Sequence, residues 1–168
     1  MTLELALDAD EDWDSSTDWA RLAEAAARAA IAESAFPHLA DAPRPVELSL
    51  VLTSDEEVRA LNAEWRGKDR PTNVLSFPQA EPHELAAADT DGPELLLGDI
   101  VLALGTCARE AEEKAIPLAD HAAHLMVHGT LHLLGYDHGD DAEAEDMEAR
   151  ETRALARLGL HNPYEVTA

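Results

Sequence analysis

The spacing of apolar side chains in the first third of the chain predicts a strand, a helix and a second strand. Thr2 to Leu7 alternates polar and apolar residues, as in a strand with one buried face. The Ala-rich stretch from Asp18 to Glu33 instead places its larger apolar side chains on one helical stripe. Val46 to Thr53 is rich in β-formers, so it is predicted to be the second strand.

A helix start follows this strand. Ser54 with Glu57 three residues later has the pattern of a capping box, in which two side chains bond the first free backbone N–H groups of a helix. Val58, Leu61 and Trp65 then recur at helical spacing. A second helix is therefore predicted here.

The rest of the chain contains two further strands and three helices. Pro78 to Pro93 is acidic and carries little bulk, which predicts a flexible loop, and the acidic residues from Asp140 to Glu151 are expected to form a solvated helix face. The order of elements predicts an α/β or α+β fold over residues 1–168, one domain with a small sheet of about four strands flanked by helices, without fixing the strand directions. The predicted elements are strands over Asn73 to Phe77 and Leu95 to Leu104, and helices over Thr106 to Ala115, Pro117 to Leu134 and Ala142 to Leu158.

Composition narrows the function classes. The 12 Lys and Arg against 35 Asp and Glu give a formal charge of −23, which excludes broad electrostatic attraction to DNA or to an anionic membrane. A hydrophobic share of 46% fits a packed core. Cys107 is the single cysteine and cannot form an internal disulfide, and neither an export signal nor a membrane-length apolar run is recognisable. We therefore expect a cytoplasmic protein that does not enter a membrane.

The strongest chemical signal is a cluster of histidines after Pro117. His128 and His132 are four residues apart, so on a helix their rings project from the same face. Gly135 can end that helix in a left-handed conformation, and the following turn can return His138 to the same point. The sequence His128-Gly-Thr-Leu-His132-Leu-Leu-Gly135-Tyr-Asp-His138 thus predicts a metal site on this central helix and the turn after it.

Three neutral imidazole nitrogens are a donor set that suits zinc, and we expect one zinc ion per chain. With no cysteine near in sequence to close the coordination, the pattern favours a catalytic ion that holds water. Zinc can lower the pKa of bound water from about 15.7 to about 7, so hydrolysis is the expected chemistry. His121 and His124 lie on the same general face, where support of the ligands or solvent exposure is favoured over ligation.

The histidine spacing also matches the long zinc-protease signature His-Glu-x-x-His-x-x-Gly-x-x-His, with one departure. Gly129 stands where that signature has the glutamate that takes the proton from water. A protease would therefore need a carboxylate from elsewhere in the fold. Ser76 and Cys107 do not lie in a recognisable nucleophile motif.

A short basic segment is the second chemical signal. Arg66, Lys68 and Arg70 are three of only 12 basic residues in a strongly acidic chain. A guanidinium can hold two phosphate oxygens at once, so such a loop beside a zinc site would bind a phosphodiester. The alternative is a solvated basic turn balanced by nearby acids.

These segments together resemble the bacterial YbeY family of rRNA maturation endoribonucleases. The resemblance runs from about Val58 to Tyr164, while the first part of the chain matches only in general layout. It is carried by Leu61-Asn62, Trp65-Arg66-Gly67-Lys68, Pro71 to Pro78, Leu97-Gly98-Asp99-Ile100, His128 to His138, Glu145, Met147, Glu148, Glu151 and Asn162-Pro163-Tyr164.

The resemblance implies a zinc-dependent endoribonuclease that prefers single-stranded RNA and acts in rRNA maturation and ribosome quality control, with ribosomal subunits or ribosome-associated proteins as partners. The family's metal histidines fall on His128, His132 and His138, and its functional arginine falls on Arg66. Many members carry Asp where this chain has Asn73, but Asn also occurs there. The family fold is a small mixed sheet flanked by helices.

The resulting hypothesis is metal-assisted hydrolysis of phosphodiesters, with Arg66 stabilising the charge that develops on phosphorus and with Lys68 and Arg70 guiding RNA. The net charge of −23 opposes the approach of RNA, but screening beyond about 8 Å lets a local basic loop act. The alternative is a non-catalytic, zinc-stabilised binding factor in ribosome assembly. A fourth protein ligand on the metal would favour that alternative, whereas an open coordination position beside Arg66 favours the enzyme.

Overall fold

One four-stranded sheet organises the fold. We analysed a computed structural model, which describes residues 3–88, 92–137, 139–160 and 162–164. The predicted mixed α/β fold with a small sheet is confirmed, although Thr2 in the first predicted strand lies outside the described residues. The strands are β1 (Leu3–Ala9), β2 (Val46–Thr53), β3 (Val74–Pro78) and β4 (Leu95–Ala103).

Helices fill the connections between the strands and the second half of the chain. Within the described residues, their bounds lie within two residues of the predicted ones wherever a helix was predicted. They are α1 (Trp19–Ala32), α2 (Asp55–Arg66), α3 (Pro82–Ala86), α4 (Leu104–Lys114), α5 (Leu118–Leu133) and α6 (Asp141–Arg157), with a 3₁₀ helix over Pro37–Asp41.

The sheet is mixed, with strand order β1-β2-β4-β3. Strands β1, β2 and β4 run parallel, whereas β3 runs antiparallel to β4 and forms an edge. Gly98 pairs with Pro78 at the end of the β3–β4 ladder, next to an irregularity where β4 gains one residue relative to β2. Its φ of +139° is a conformation that side-chain-bearing residues rarely adopt. Because β3 is an edge strand, its outer edge can line a site.

Helix α5 lies at the centre of the helical layer. It contacts α1, α4 and α6 as well as strands β3 and β4. Alternate side chains of β2, such as Leu50, share one apolar core with Ile31 of α1 and Met126 of α5. Because α5 is buried on several sides, the histidines it carries are held in a rigid frame.

The predicted helix start at Ser54 is present, although only half of the capping box forms. The Ser54 hydroxyl accepts a hydrogen bond from the backbone N–H of Glu57 at 3.2 Å. The Glu57 carboxylate instead accepts from the hydroxyl of Thr53 at 2.5 Å. The preceding threonine thus takes the place of the Ser54 backbone N–H as donor to Glu57.

The prediction of a flexible loop over Pro78 to Pro93 is wrong, because this segment contains the last residue of a strand and a short helix. Strand β3 includes Pro78, and α3 forms one helical turn within the segment. Glu81 and Glu84 make reciprocal capping contacts at its start, and Leu85 is buried in the core. One buried leucine and one cap are enough to order a turn that composition alone marks as a loop. Residues 89–91 of the predicted loop lie outside the described residues.

Candidate active site

His128 and His132 face each other on α5, one helical turn apart. Their Nε2 atoms are 3.0 Å apart. The Nδ1 atom of His132 contacts the backbone carbonyl of Tyr136 at 2.8 Å, and the Nδ1 atom of His128 contacts the Glu151 carboxylate. Because these oxygens can only accept, each Nδ1 carries the ring proton and each Nε2 presents a lone pair. The two lone pairs converge on one point.

This convergence fits a zinc ion. Two nitrogen ligands about 2.0–2.1 Å from a tetrahedral zinc lie about 3.3 Å apart, close to the spacing of the two Nε2 atoms. The third predicted ligand, His138, lies outside the described residues. Within the described part of the chain, no group of three potential metal-binding side chains is assembled. The zinc site with three histidines therefore stays a prediction, of which two donors are seen in a suitable arrangement.

The turn after α5 has the geometry predicted from Gly135. Its φ is +97°, in the region that favours glycine. The backbone N–H of Gly135 bonds to the carbonyl of His132 at 3.1 Å, and that of Tyr136 bonds to Leu131 at 3.1 Å. This pair of bonds is a Schellman motif, which ends the helix and brings the Tyr136 carbonyl back to His132. The glycine thus helps to orient a candidate ligand.

Glu151 of α6 orients His128 and was missed as a site residue. Its side chain is 0% exposed, with one carboxylate oxygen bound to His128 Nδ1 and the other accepting from the Tyr164 hydroxyl. Burial raises the pKa of Glu151, but the contacts with His124 and His128 outweigh burial and lower the pKa to about 2. The prediction of a solvated acidic face over Asp140 to Glu151 is therefore wrong at Glu151.

The two remaining described histidines of α5 have different surroundings. His124 Nε2 is 3.6 Å from Glu151 and 3.3 Å from the Tyr164 hydroxyl, so it lies beside the carboxylate that binds His128. His121 is buried, and its Nε2 contacts Glu110 at 2.8 Å. Since Glu110 also accepts from the Asn73 side chain at 3.0 Å, Asn73 belongs to this second network.

Gly129 faces the sheet at a close approach between α5 and the strands. A Cβ atom there would lie 2.9 Å from Ile100 Cγ2 and 3.2 Å from the Ser76 hydroxyl. Any side chain would therefore start into the sheet, where it would collide with β4. A glutamate like that of the zinc-protease signature has no room at this position.

The basic loop and the histidine pair border the same cleft. Its volume is about 440 Å³, and its walls include Arg66, Lys68 and Arg70 as well as His128 and His132. Residues of the edge strand β3, from Val74 to Ser76, also line it. The fold thus brings two signals that are some 60 residues apart in sequence to one surface, while the chemical roles of these residues remain predictions.

The basic loop is fixed by a buried asparagine. Asn62 accepts a backbone hydrogen bond from Lys68 at 3.1 Å and donates its side-chain amide to the carbonyl of Arg70 at 2.9 Å. Asp69 in the same loop forms a two-point ion pair with Arg59, whose hydrogen bonds lower the pKa of Asp69. The acid within the loop is therefore paired by Arg59, so the loop keeps a positive character.

Arg66 lies at the end of α2 with its guanidinium against β3. Its Nη2 donates to the carbonyl of Ser76 at 2.6 Å, and the guanidinium carbon is 5.6 Å from the centre of the Phe77 ring. One edge of the guanidinium is thus fixed by the strand. Sequence analysis predicted Arg66 as a site residue without this contact.

Neither sequence candidate for a nucleophile is suited to that role. Ser76 and Cys107 are both buried. Burial raises the pKa of the Cys107 thiol to about 12, with the nearby carboxylates of Glu110 and Asp55 adding to the shift. A thiol with this pKa is not ionised at neutral pH.

Comparisons with known proteins agree with this reading of the fold. The profile of the family described as Endoribonuclease YbeY matches residues 8–159. A protein named Endoribonuclease YbeY from Rhizorhabdus wittichii is 52% identical over 166 residues, covering 98% of both chains. A protein of the same name from Sphingopyxis alaskensis is 56% identical over 153 residues, covering 90% of this chain and 91% of its own.

A solved structure shows the same fold at low sequence identity. A Thermotoga maritima protein solved in solution aligns with a TM-score of 0.53 and 21% identity, covering 97% of this chain and all of its own (100%). Among the described residues, no helix is both long and apolar enough to cross a bilayer.

The fold and the site define a class: a mixed-sheet α/β protein whose central helix contributes a histidine pair to a cleft that a basic loop also lines. The family profile and the relatives then identify the group within that class. The chain belongs to the YbeY endoribonuclease family.

Proposed function

We propose that the protein is a zinc-dependent endoribonuclease that hydrolyses single-stranded RNA during rRNA maturation and ribosome quality control. The observation that carries this proposal is the single cleft that joins the His128–His132 pair to the basic loop. Relatives that are named endoribonucleases support RNA as the substrate. Two of them are 52% and 56% identical to this chain and align with 98% and 90% of it.

Zinc would be held by His128 and His132, together with His138 from the sequence pattern. When bound, it supplies a Lewis acid that polarises a phosphate oxygen and lowers the pKa of water. Glu151 and the Tyr136 carbonyl hold the two described rings with Nε2 facing the cleft. This arrangement fixes the tautomer of each ring before the ion arrives.

The basic loop supplies the contacts to RNA. Arg66 binds the non-bridging oxygens of the scissile phosphate and stabilises the charge that develops on them during attack. Lys68 and Arg70 bind the neighbouring backbone phosphates. The long-range repulsion of a −23 chain is screened beyond about 8 Å at physiological salt, so these local cations decide where RNA binds.

A combined metal and cleavage assay tests this proposal. We expect about one zinc per chain by element analysis, cleavage of single-stranded RNA, loss of cleavage after chelation and recovery with added zinc. Zinc-containing protein that binds but does not cut RNA would support the non-catalytic assembly factor instead. Digestion of casein would reverse the conclusion drawn at Gly129 and support a peptidase.

Glu151→Gln is expected to weaken zinc binding about 10- to 100-fold, because the carboxylate that orients His128 loses its charge while the side chain keeps its shape. Competition with a zinc chelator measures the change. Glu145→Gln, on the exposed face of the same helix, is the matched control and should leave zinc affinity unchanged. Equal affinities in the two variants would contradict a role for Glu151 in the metal site.

A further inference from the structure

Trp65 is an exposed tryptophan in a chain that buries its other two. Its exposed fraction is 66%, against 2% for Trp13 and 6% for Trp19. The buried pair pack edge to face, and their indole N–H groups donate to the carbonyls of Thr53 and Asp14 at 3.0 and 2.8 Å. Among the described residues, Trp65 is the most exposed large hydrophobic side chain.

Trp65 is a direct sequence neighbour of a residue that lines the cleft. It lies in the last turn of α2, one residue before Arg66, which lines the cleft. On the helix, Trp65 lies about 60° from Asn62 and about 100° from Arg66, which both line the cleft, so its position adjoins the side of α2 that borders the cleft. The loop that follows is anchored through Asn62, which fixes the backbone at Lys68 and Arg70 relative to the end of α2.

We propose that Trp65 is a stacking platform for an RNA base adjacent to the phosphate that Arg66 binds. This inference rests on the proposed function and deepens it. Aromatic faces beside basic residues are the combination that binds single strands without sequence preference, since every base has a π-face. In a duplex the base faces are already stacked, so the platform also accounts for a preference for single-stranded RNA.

The charge around the ring favours RNA over a protein partner. Over residues 64–70, Asp69 is paired with Arg59, so Arg66, Lys68 and Arg70 stand against one further exposed carboxylate, that of Glu64. This net positive segment around an exposed indole matches a polyanion with aromatic bases. An apolar protein surface would gain little from three adjacent cations.

Intrinsic tryptophan fluorescence gives a direct readout. Because Trp13 and Trp19 are buried, quenching by RNA reports on Trp65. With chelated, non-cleaving protein, we expect a short single-stranded RNA to quench fluorescence and an abasic strand of equal length to bind without quenching. Trp65→Ala should weaken binding of the RNA about 5- to 150-fold but leave binding of the abasic strand unchanged. Trp65→Phe, which keeps an aromatic ring, should restore most of the affinity.

Cleavage kinetics of the zinc-loaded protein complete the test. Trp65→Ala should raise KM for single-stranded RNA with kcat within about twofold, since stacking contributes to binding of substrate and transition state alike. Leu96→Ala, which shortens an exposed apolar side chain on β4, is the control and should change neither parameter.

The outcomes separate the two proposals. Wild-type protein that neither binds nor cuts RNA overturns the proposed function and the platform together. Normal cleavage with an unchanged KM and no quenching in the RNA titration refutes the platform alone. A fall in kcat at constant KM in Trp65→Ala would show that Trp65 positions Arg66 instead of binding a base. Loss of a protein partner from this variant, with RNA binding intact, would assign the ring to that partner. Either result would refute stacking.

Discussion

Arg66→Ala is expected to slow cleavage of single-stranded RNA about 10²- to 10³-fold while lowering the free energy of unfolding by only about 1–2 kcal/mol, the net contribution of its hydrogen bond to Ser76. The guanidinium is fixed by the Ser76 carbonyl and lines the same cleft as the histidine pair. In the transition state it would face the phosphate oxygens on which negative charge grows, so its loss should lower kcat more than substrate affinity.

Two variants give this prediction its controls. Arg66→Lys keeps the positive charge but loses the planar two-point contact, so its rate should fall between the wild type and the alanine variant. Arg109→Ala removes one positive charge from an exposed position on α4 and should cleave at the wild-type rate. Equal losses for Arg66→Ala and Arg109→Ala would show that only net charge matters. A wild-type rate for Arg66→Ala would remove the residue from the mechanism.

Gly98→Ala is expected to destabilise the protein by about 2–6 kcal/mol. The φ of +139° is strained for alanine, at about 1–3 kcal/mol. The new Cβ would also lie 2.3 Å from the backbone oxygen of Phe77 and 2.9 Å from Leu133 Cδ2. Relief would require movement of β3 or α5 and adds about 1–3 kcal/mol. Both elements border the cleft, so cleavage should fall together with stability.

Gly159→Ala is the matched control for this prediction. Gly159 also has a positive φ, +76°, but a Cβ there would meet nothing within 4 Å. It should cost only the backbone strain, about 1–2 kcal/mol. Denaturant unfolding of both variants measures the difference, which isolates the clash at Gly98. Equal destabilisation of the two would contradict the close approach of β3 and α5 at this position.

Local patterns predicted much of the fold and part of the candidate site. The bounds of β2 agree with the predicted run from Val46 to Thr53 because alternation along a strand is a local property. The shared face of His128 and His132 follows from helical periodicity, and the left-handed turn follows from Gly135. Strand directions and the contact of Arg66 with β3 depend on distant pairings, which no local pattern encodes.

Glu151 shows how a visible signal was misread. The buried positions of α6 are Met147, Glu151, Ala154 and Leu155, which recur at helical spacing. Glu151 therefore lies on the buried stripe of this helix, but the surrounding acidic residues suggested a solvated face. A carboxylate that recurs with apolar residues at helical spacing indicates a buried partner, here His128. This indication is stronger than the indication of solvent exposure that the charges of the neighbouring residues give.

Trp65 shows what helical spacing leaves open. Val58, Leu61 and Trp65 recur at the spacing that predicted α2, yet Val58 is buried, Leu61 is partly buried and Trp65 is exposed. Helical spacing indicates which side chains share one side of a helix. How many of those side chains are covered by other elements depends on tertiary packing. The second apolar cluster, centred on Val58, Leu75 and Val101, does not include Trp65.

His128 and Glu151 are separated by 23 positions, and the carboxylate is on the last described helix. A nascent chain that has emerged from the ribosome only as far as α5 carries both histidines without the carboxylate that orients His128. We therefore expect the histidine pair to reach its final arrangement late in biosynthesis, once α6 has docked.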